Sequence, residues 1–340
     1  MQVPQIEVAD NNTPAVAPKG DASSPEPVKK TEEKKLPEVK ENKARKERIG
    51  MMQVGIALLT IALALLIRFS VADPGVYVGE YLEGKRHGQG NATYSDGQIY
   101  IGNWENDLWN GKGILKFADK GGYQGQFKDG KITGAGVWKD GANTTIEGEF
   151  EDGIAHGRAI KIFPTGDVYR GRLKHGEFHG YGVYRYKTGD VYEGEFVDGE
   201  SHGKGKATYE NGDVYDGMWE HGVSHGNGTL THKDGASYTG GWNQGHKHGQ
   251  GVITLGQGHT YDGDWKQGMR DGYGVYINGA EHYAGEWKDD MREGFGVLTY
   301  PNGDTYRGNW ANGLKHGEGR YTLANGEILE GQFVSGELVK

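Results

Sequence analysis

The chain has no cysteine among its 340 residues. That excludes a disulfide framework, a zinc–thiolate site and a cysteine nucleophile. Proline is scarce: there are nine, and six of them precede Glu38. Glycine follows no G-X-Y period, so a collagen-like chain is excluded. A surplus of positive charge is also missing, because 38 Lys and Arg stand against 47 Asp and Glu, a formal net charge of −9. Phosphate backbones need a basic face, so nucleic acid is not an expected partner. What the chain has in excess is glycine, 61 residues where ~7% is typical. Tyrosine (20) and tryptophan (8) rise with it, while hydrophobics are held to 35%. This mixture predicts a thin structure of small repeated units rather than one large core.

Three regions precede the repeats. Residues 1–48 carry ten basic and nine acidic residues and almost no long apolar side chains. Such a segment cannot offset its ordering entropy by burial and reads as a disordered tail. Residues 49–67, IGMMQVGIALLTIALALLI, are nineteen uncharged residues. As a helix they span roughly 28 Å, close to the ~30 Å hydrocarbon core of a bilayer. They are expected to form a transmembrane helix, with 68–76 as a short linker. Lys43, Arg45, Lys46 and Arg48 crowd its N-side, while Arg68 stands alone on the other. The positive-inside rule then places the N-terminus in the cytoplasm and the rest of the chain across the membrane. Ser70-Val71-Ala72 resembles a small-x-small cleavage site. The long apolar run and long preceding tail favour a retained anchor over cleavage after Ala72.

From Tyr77 the sequence repeats every 23 residues, with one step of 22 between Tyr261 and Tyr283. Residues 77–340 hold eleven full units and part of a twelfth, which begins at Leu329. Positions 1, 3 and 5 of a unit are Tyr, Gly and an aromatic, an alternation that puts all three on one strand face. The aromatic columns include Tyr192, Trp219, Trp242, Trp265, Trp287 and Trp310, read as structural repeat residues. Position 8 is Gly in ten of twelve units, a hairpin turn that needs positive φ; Asp107 and Asp290 are the exceptions. Positions 12 and 14 are also Gly, position 14 with one exception, Ala159. Strand glycines imply a close approach, here a flat ring from position 1 or 5 over bare backbone. Asn211-Gly212-Asp213 and its equivalents turn the chain into the next unit. Around Gly121-Gly122 and Asp140-Gly141 that signal shifts, which predicts irregular loops.

Each unit is thus a two-stranded hairpin, too small to be stable alone. Stacked hairpins predict an all-β repeat protein, one long twisted antiparallel sheet on the order of 100 Å in length. The pattern Y-x-G-x-W-x-x-G-x-x-H-G-x-G resembles the MORN repeat (membrane occupation and recognition nexus), and the resemblance covers 77–340. It implies an elongated, groove-like sheet, a role as scaffold, membrane-contact tether or recognition arm, and no common catalytic residues. It also implies that dimers through C-terminal units are a feature of some members.

Several constellations invite chemistry. Position 11 is His in seven units: His87, His156, His179, His202, His225, His248 and His316. Equivalent positions in adjacent hairpins lie roughly 10 Å apart. They cannot share an ion that needs nitrogens ~2.0–2.1 Å away. Local pairs such as His175/His179, His221/His225 and His246/His248 offer at most an adventitious site. Gly199–Gly203 and Gly222–Gly226 match the G-x-S-x-G elbow, but a hairpin lacks the strand-to-helix turn an elbow requires. No dinucleotide loop, P-loop or closed calcium loop is present, so no enzyme activity, cofactor or metal is expected. Asn91, Asn143 and Asn227 begin glycosylation sequons, which matter only in a secretory compartment.

The expected function is that of a membrane-anchored, non-catalytic scaffold or tether for a protein partner. Lipid-headgroup binding is the alternative. Residues 73–340 carry 27 basic and 38 acidic residues, which disfavours anionic lipid. The twelfth unit is expected to stop after its first strand, leaving Leu329 and Phe333 on an open edge for pairing with a second copy.

Overall fold

The computed structural model describes residues 75–339. The tail, the apolar run at 49–67 and the cleavage position after Ala72 lie outside the described residues. Among the described residues there is no helix, so none that is long and apolar enough to cross a membrane.

The described residues form one 24-stranded antiparallel sheet. Its spatial order is the order along the chain, each strand pairing only with the strands before and after it. One unit shows how the sequence dictates this. β11 (Val191–Val197) turns at Asp198-Gly199 into β12 (Glu200–Thr208), which loops through 209–213 into β13 (Val214–Glu220). Asp198 and Gly199 both have positive φ, 48° and 84°. That is the type I′ hairpin turn, whose twist matches the strands it joins. The same pair of positive φ values recurs in all twelve turns, including Asn106-Asp107 and Asp289-Asp290, where an Asp replaces the glycine.

The recurrent strand glycines divide into two kinds. Positions 3 and 14 face each other across each hairpin, as in Gly240↔Gly251. A Cβ on Gly240 would lie 2.5 Å from the Gly251 Cα and 2.7 Å from the Tyr238 Oη. The ring of position 1 lies over this bare pair, as expected. Position 12 corrects the expectation. Gly249 has nothing within 4 Å of where its Cβ would be, and its φ is +68°. It sits at a bulge: the register runs Gly240↔Gly251 and resumes at Trp242↔Lys247. Glycine is needed there for the left-handed conformation, not for a ring.

Loops between units close with a shared bond, such as Tyr209 N–H to the Asp213 carbonyl (2.9 Å). The two loops expected to be irregular keep it: Phe117 N–H donates to Gly121 O and Asp140 N–H to Thr144 O. Lys120 (φ 74°) and Asn143 (φ 73°) take the left-handed place that glycine holds elsewhere.

The end of the sheet also differs from expectation. β23 (Ile328–Val334) is followed by β24 (Glu337–Val339), which pairs with it from Val334↔Glu337 to Gln332↔Val339. The twelfth hairpin therefore begins to close. Phe333 is 3% exposed and packs edge-on against Tyr306 at 5.1 Å, so it is not an open-edge residue. Leu329, at 39%, is exposed.

Candidate interaction faces of the sheet

Alternation along each strand gives the sheet two unlike faces. Positions 1, 5, 10 and 16 point to one side and make the core. Tyr192, Trp219, Trp242, Trp265, Trp287 and Trp310 are all buried there. Trp242 lies edge-on between Tyr215 (5.1 Å) and Tyr238 (5.2 Å), and the alternation continues through Trp265, Trp287 and Trp310. Each indole reaches back one unit. Trp219, Trp242 and Trp265 donate Nε1–H to the carbonyls of Gly205, Gly228 and Gly251 at 3.0, 3.1 and 2.9 Å. Trp310 is the exception, its Nε1 buried without an acceptor. The tyrosine hydroxyls donate to the carbonyl three residues on, as Tyr192 to Glu195 at 2.9 Å. Burial raises these phenols above their ordinary range, Tyr306 to about 12. The aromatic columns hold neighbouring units together and offer no free binding surface.

Position 10 was not singled out from the sequence, yet it grades this face. It is Trp109, Ile132, Ala155 and Phe178 in units two to five. In units eight to eleven it is Lys247, Arg270, Arg292 and Lys315. These cations lie over rings: Arg270 Cζ is 3.9 Å from the Trp287 ring centre and Lys247 Nζ is 4.9 Å from that of Trp265. The two Asp exceptions at position 8 now have a cause. Asp107 accepts from Arg86, and Asp290 from Arg270, each through Oδ1 to the arginine Nε at 3.0 Å. The arginine stands at position 10 of the preceding unit, so a sequence signal existed in the co-occurrence of the two departures. Lys161, at position 16, is 6% exposed with its Nζ 5.0 Å from the Phe163 ring centre. Burial lowers its ammonium below the usual lysine range, opposed by Asp140 and Glu177.

The loop margin is interlocked. Asp190 accepts from Glu210 N–H (2.8 Å), Asp213 from Lys233 N–H (3.1 Å) and Asp304 from Ala324 N–H (2.8 Å), each one unit ahead. The Asn-Gly-Asp loops, and the Thr-Gly-Asp loop of Asp190, use their carboxylates to dock the next loop. Burial opposes ionisation of Asp213, but hydrogen bonds from Asn211, the Lys233 N–H and His232 outweigh it and hold its carboxyl below the usual range.

The histidines do not gather. Among the described residues no group of three or more His, Asp or Glu is arranged to hold a metal ion. The close ring pairs are His156–His175 and His202–His221, both 6.0 Å between centres and both across neighbouring hairpins. Ser201 and Ser224 of the G-x-S-x-G segments lie within β12 and in β14 (Val223–Thr231), with no helix after them. Asn91, Asn143 and Asn227 are all exposed.

The outward face carries positions 2, 4, 13 and 15 and is mostly polar. The position 4 side chain lies over the bulge: Asp264 accepts the Tyr273 N–H (2.9 Å) freed there. Position 13 holds three exposed aromatics, Tyr181, Tyr273 and Phe295, which the sequence reading did not single out.

A family model for the MORN repeat matches residues 77–99, 100–122, 123–142, 147–168, 169–191, 192–214, 215–237, 238–260, 261–279, 283–305 and 306–328. No curated protein matches the chain. Solved structures similar to it include the TCP domain of Drosophila melanogaster SAS-4 (dCPAP) in complex with a proline-rich motif of Ana2 (dSTIL). The identity is 14%, covering 52% of this chain and 97% of that one, with a TM-score of 0.32. Another is the TCP10 domain of Danio rerio CPAP in complex with a peptide of STIL, at 7% identity, 76% and 100% coverage, and a TM-score of 0.30. The eleven matched stretches tile nearly the whole sheet, unit by unit, and the chain belongs to the MORN repeat family.

Proposed function

We propose that the chain is a single-pass, membrane-anchored and non-catalytic tether, which presents its repeat sheet to a protein partner. The observation that carries this reading is the sheet itself. Twenty-four strands pair without interruption, and the conspicuous side chains join neighbouring units to one another. Such an arm holds surfaces at fixed spacing along one axis, which is what a scaffold needs. The anchor rests on the apolar run at 49–67 and the orientation on Lys43–Arg48 before it.

Two measurements on the full chain test it. Protease added to sealed vesicles should cleave the repeats and spare the tail, and changing Lys43, Arg45, Lys46 and Arg48 to Ser should mix the orientations. Protected repeats with a digested tail would overturn the topology. A flotation assay beside a partner pull-down separates protein binding from headgroup binding, and vesicle binding without a protein partner would reverse the assignment. Self-association of the C-terminal units would draw on Leu329 and β24, and light scattering of the full chain in detergent reads it.

A further inference from the structure

The outward face carries an apolar patch that includes two exposed aromatic rings. Tyr273 and Val275 lie on β18 (Met269–Asn278), Ala284 on β19 (Glu281–Lys288), and Phe295 and Val297 on β20 (Met291–Thr299). Their opposite numbers, Tyr276, Tyr283, Trp287 and Leu298, are buried on the core side, so these five point outward. The register makes the patch continuous: Val275 faces Ala284, and Ala284 faces Val297. Tyr273 is 58% exposed and Phe295 46%. Neither ring serves the fold, because the same position is Gln89, Lys112, Arg158 or Gln250 in other units. An exposed aromatic cluster without a structural role marks an interaction site.

Its chemistry is set by what surrounds the rings. Glu286 lies directly opposite Tyr273, Asp262 directly opposite Val275, and Glu293 opposite Glu286. Asp264 stands beside them over the bulge. An aromatic face flanked by carboxylates fits a guanidinium, which stacks on the ring while its edge pairs with the acid. The surface already shows the stacking once. Arg307 closes the far side of the patch with its Cζ 5.7 Å from the Phe295 ring centre. The platform is also held firmly, because β18 and β19 are joined by the two residues Gly279-Ala280 where other units use a five-residue loop such as 209–213.

We infer that this outward patch of Tyr273, Val275, Ala284, Phe295 and Val297, rimmed by Asp262 and Glu286, docks an extended protein segment that turns arginines and apolar side chains to it from one face. The inference rests on the protein-tether reading and names the partner's chemistry. It is tested on the full chain with a fluorescent Arg–Leu peptide, in which Arg and Leu take turns at every second residue with Ser between them, alongside Lys–Leu and Glu–Leu versions, by anisotropy. The Arg–Leu peptide should bind, the Lys–Leu peptide several-fold more weakly, and the Glu–Leu peptide not at all. Tyr273→Thr with Phe295→Thr should weaken Arg–Leu binding at least tenfold with thermal unfolding unchanged. Asp262→Lys should do the same without touching a ring. Tyr181→Thr, an exposed tyrosine at the same position of another unit, should leave binding intact. Equal binding by the double variant and the parent would overturn the inference, as would an equal loss in Tyr181→Thr or binding only to phosphatidylserine vesicles. Partners still retained by the double variant in a pull-down would leave the tether reading standing and remove this one.

Discussion

Tyrosine at position 1 and glycine at positions 3 and 14 are one device, and the exceptional unit proves the coupling. Ile146 is the only full unit start that is not Tyr, and its unit alone carries Ala159 at position 14. With no ring above, the methyl fits. Gly251→Ala places a Cβ 2.5 Å from Tyr238 Cε2 and should cost about 1–3 kcal/mol. Combining it with Tyr238→Ile recreates the natural Ile–Ala unit. The double variant should be less destabilised than the sum of the singles, with a coupling of about 1 kcal/mol or more by denaturant unfolding. Trp242→Ala removes a buried ring and should cost roughly 3–5 kcal/mol. Gly249→Val should destabilise through its positive φ, by about 1–2 kcal/mol. The aromatic and glycine columns were legible because alternation assigns their face. Position 12 was misread because a strand glycine under a ring and one at a bulge look alike until the register is known.

At the scale of the hairpin, loops and turns stitch each unit to the next. Arg270 is buried, and Asp290 of the following unit is its acceptor. Asp290→Gly leaves that guanidinium without its carboxylate and should cost about 1–3 kcal/mol. Adding Arg270→Ser returns the pair to what Ser201 and Gly222 already form, and thermal unfolding should recover most of the loss. The carboxyls of Asp213 and Asp304 are held below the usual range. Their contribution is complete above the unfolded carboxyl pKa of about 4 and is lost as pH falls through the lower folded values. Acid unfolding should therefore steepen below about pH 4, and less so in Asp213→Asn. Turn chemistry was readable from Gly and Asn-Gly-Asp spacing. The Arg–Asp clamps and the position 13 patch show only when columns are compared across units, because both join residues of different units. A consensus of single columns hides such pairs.

For the whole sheet, burial is shared among many tyrosines. Tyr100, Tyr192, Tyr215, Tyr238 and Tyr261 all have raised phenol pKa values, burial being the leading cause. A raised folded pKa gives stability that is full below the unfolded value of about 10 and declines as pH climbs toward the folded one. Exposed rings aside, the greater part of the tyrosinate absorbance should then appear in one cooperative step together with unfolding, and a gradual rise of the whole signal before unfolding would show that the core rings are open. The all-β repeat architecture of residues 77–334 was legible from the period alone. Side-chain detail at its far end was not, since β24 is three residues long and its pairing depends on the turn Ser335-Gly336.

Strictly sequential pairing also has a mechanical consequence. The bonds between antiparallel strands run perpendicular to the strands, and so along the axis that joins β1 (Val76–Leu82) to β24. Tension between the two ends loads these bonds in the peeling direction, one ladder at a time. It never shears a whole ladder at once. Such an arm resists bending yet yields to a pull by releasing single hairpins. Force spectroscopy should record a series of small, similar ruptures, each freeing on the order of 80 Å of chain, the extended length of one 23-residue unit. A sheet built this way acts as a strut at rest and as a shock absorber under load.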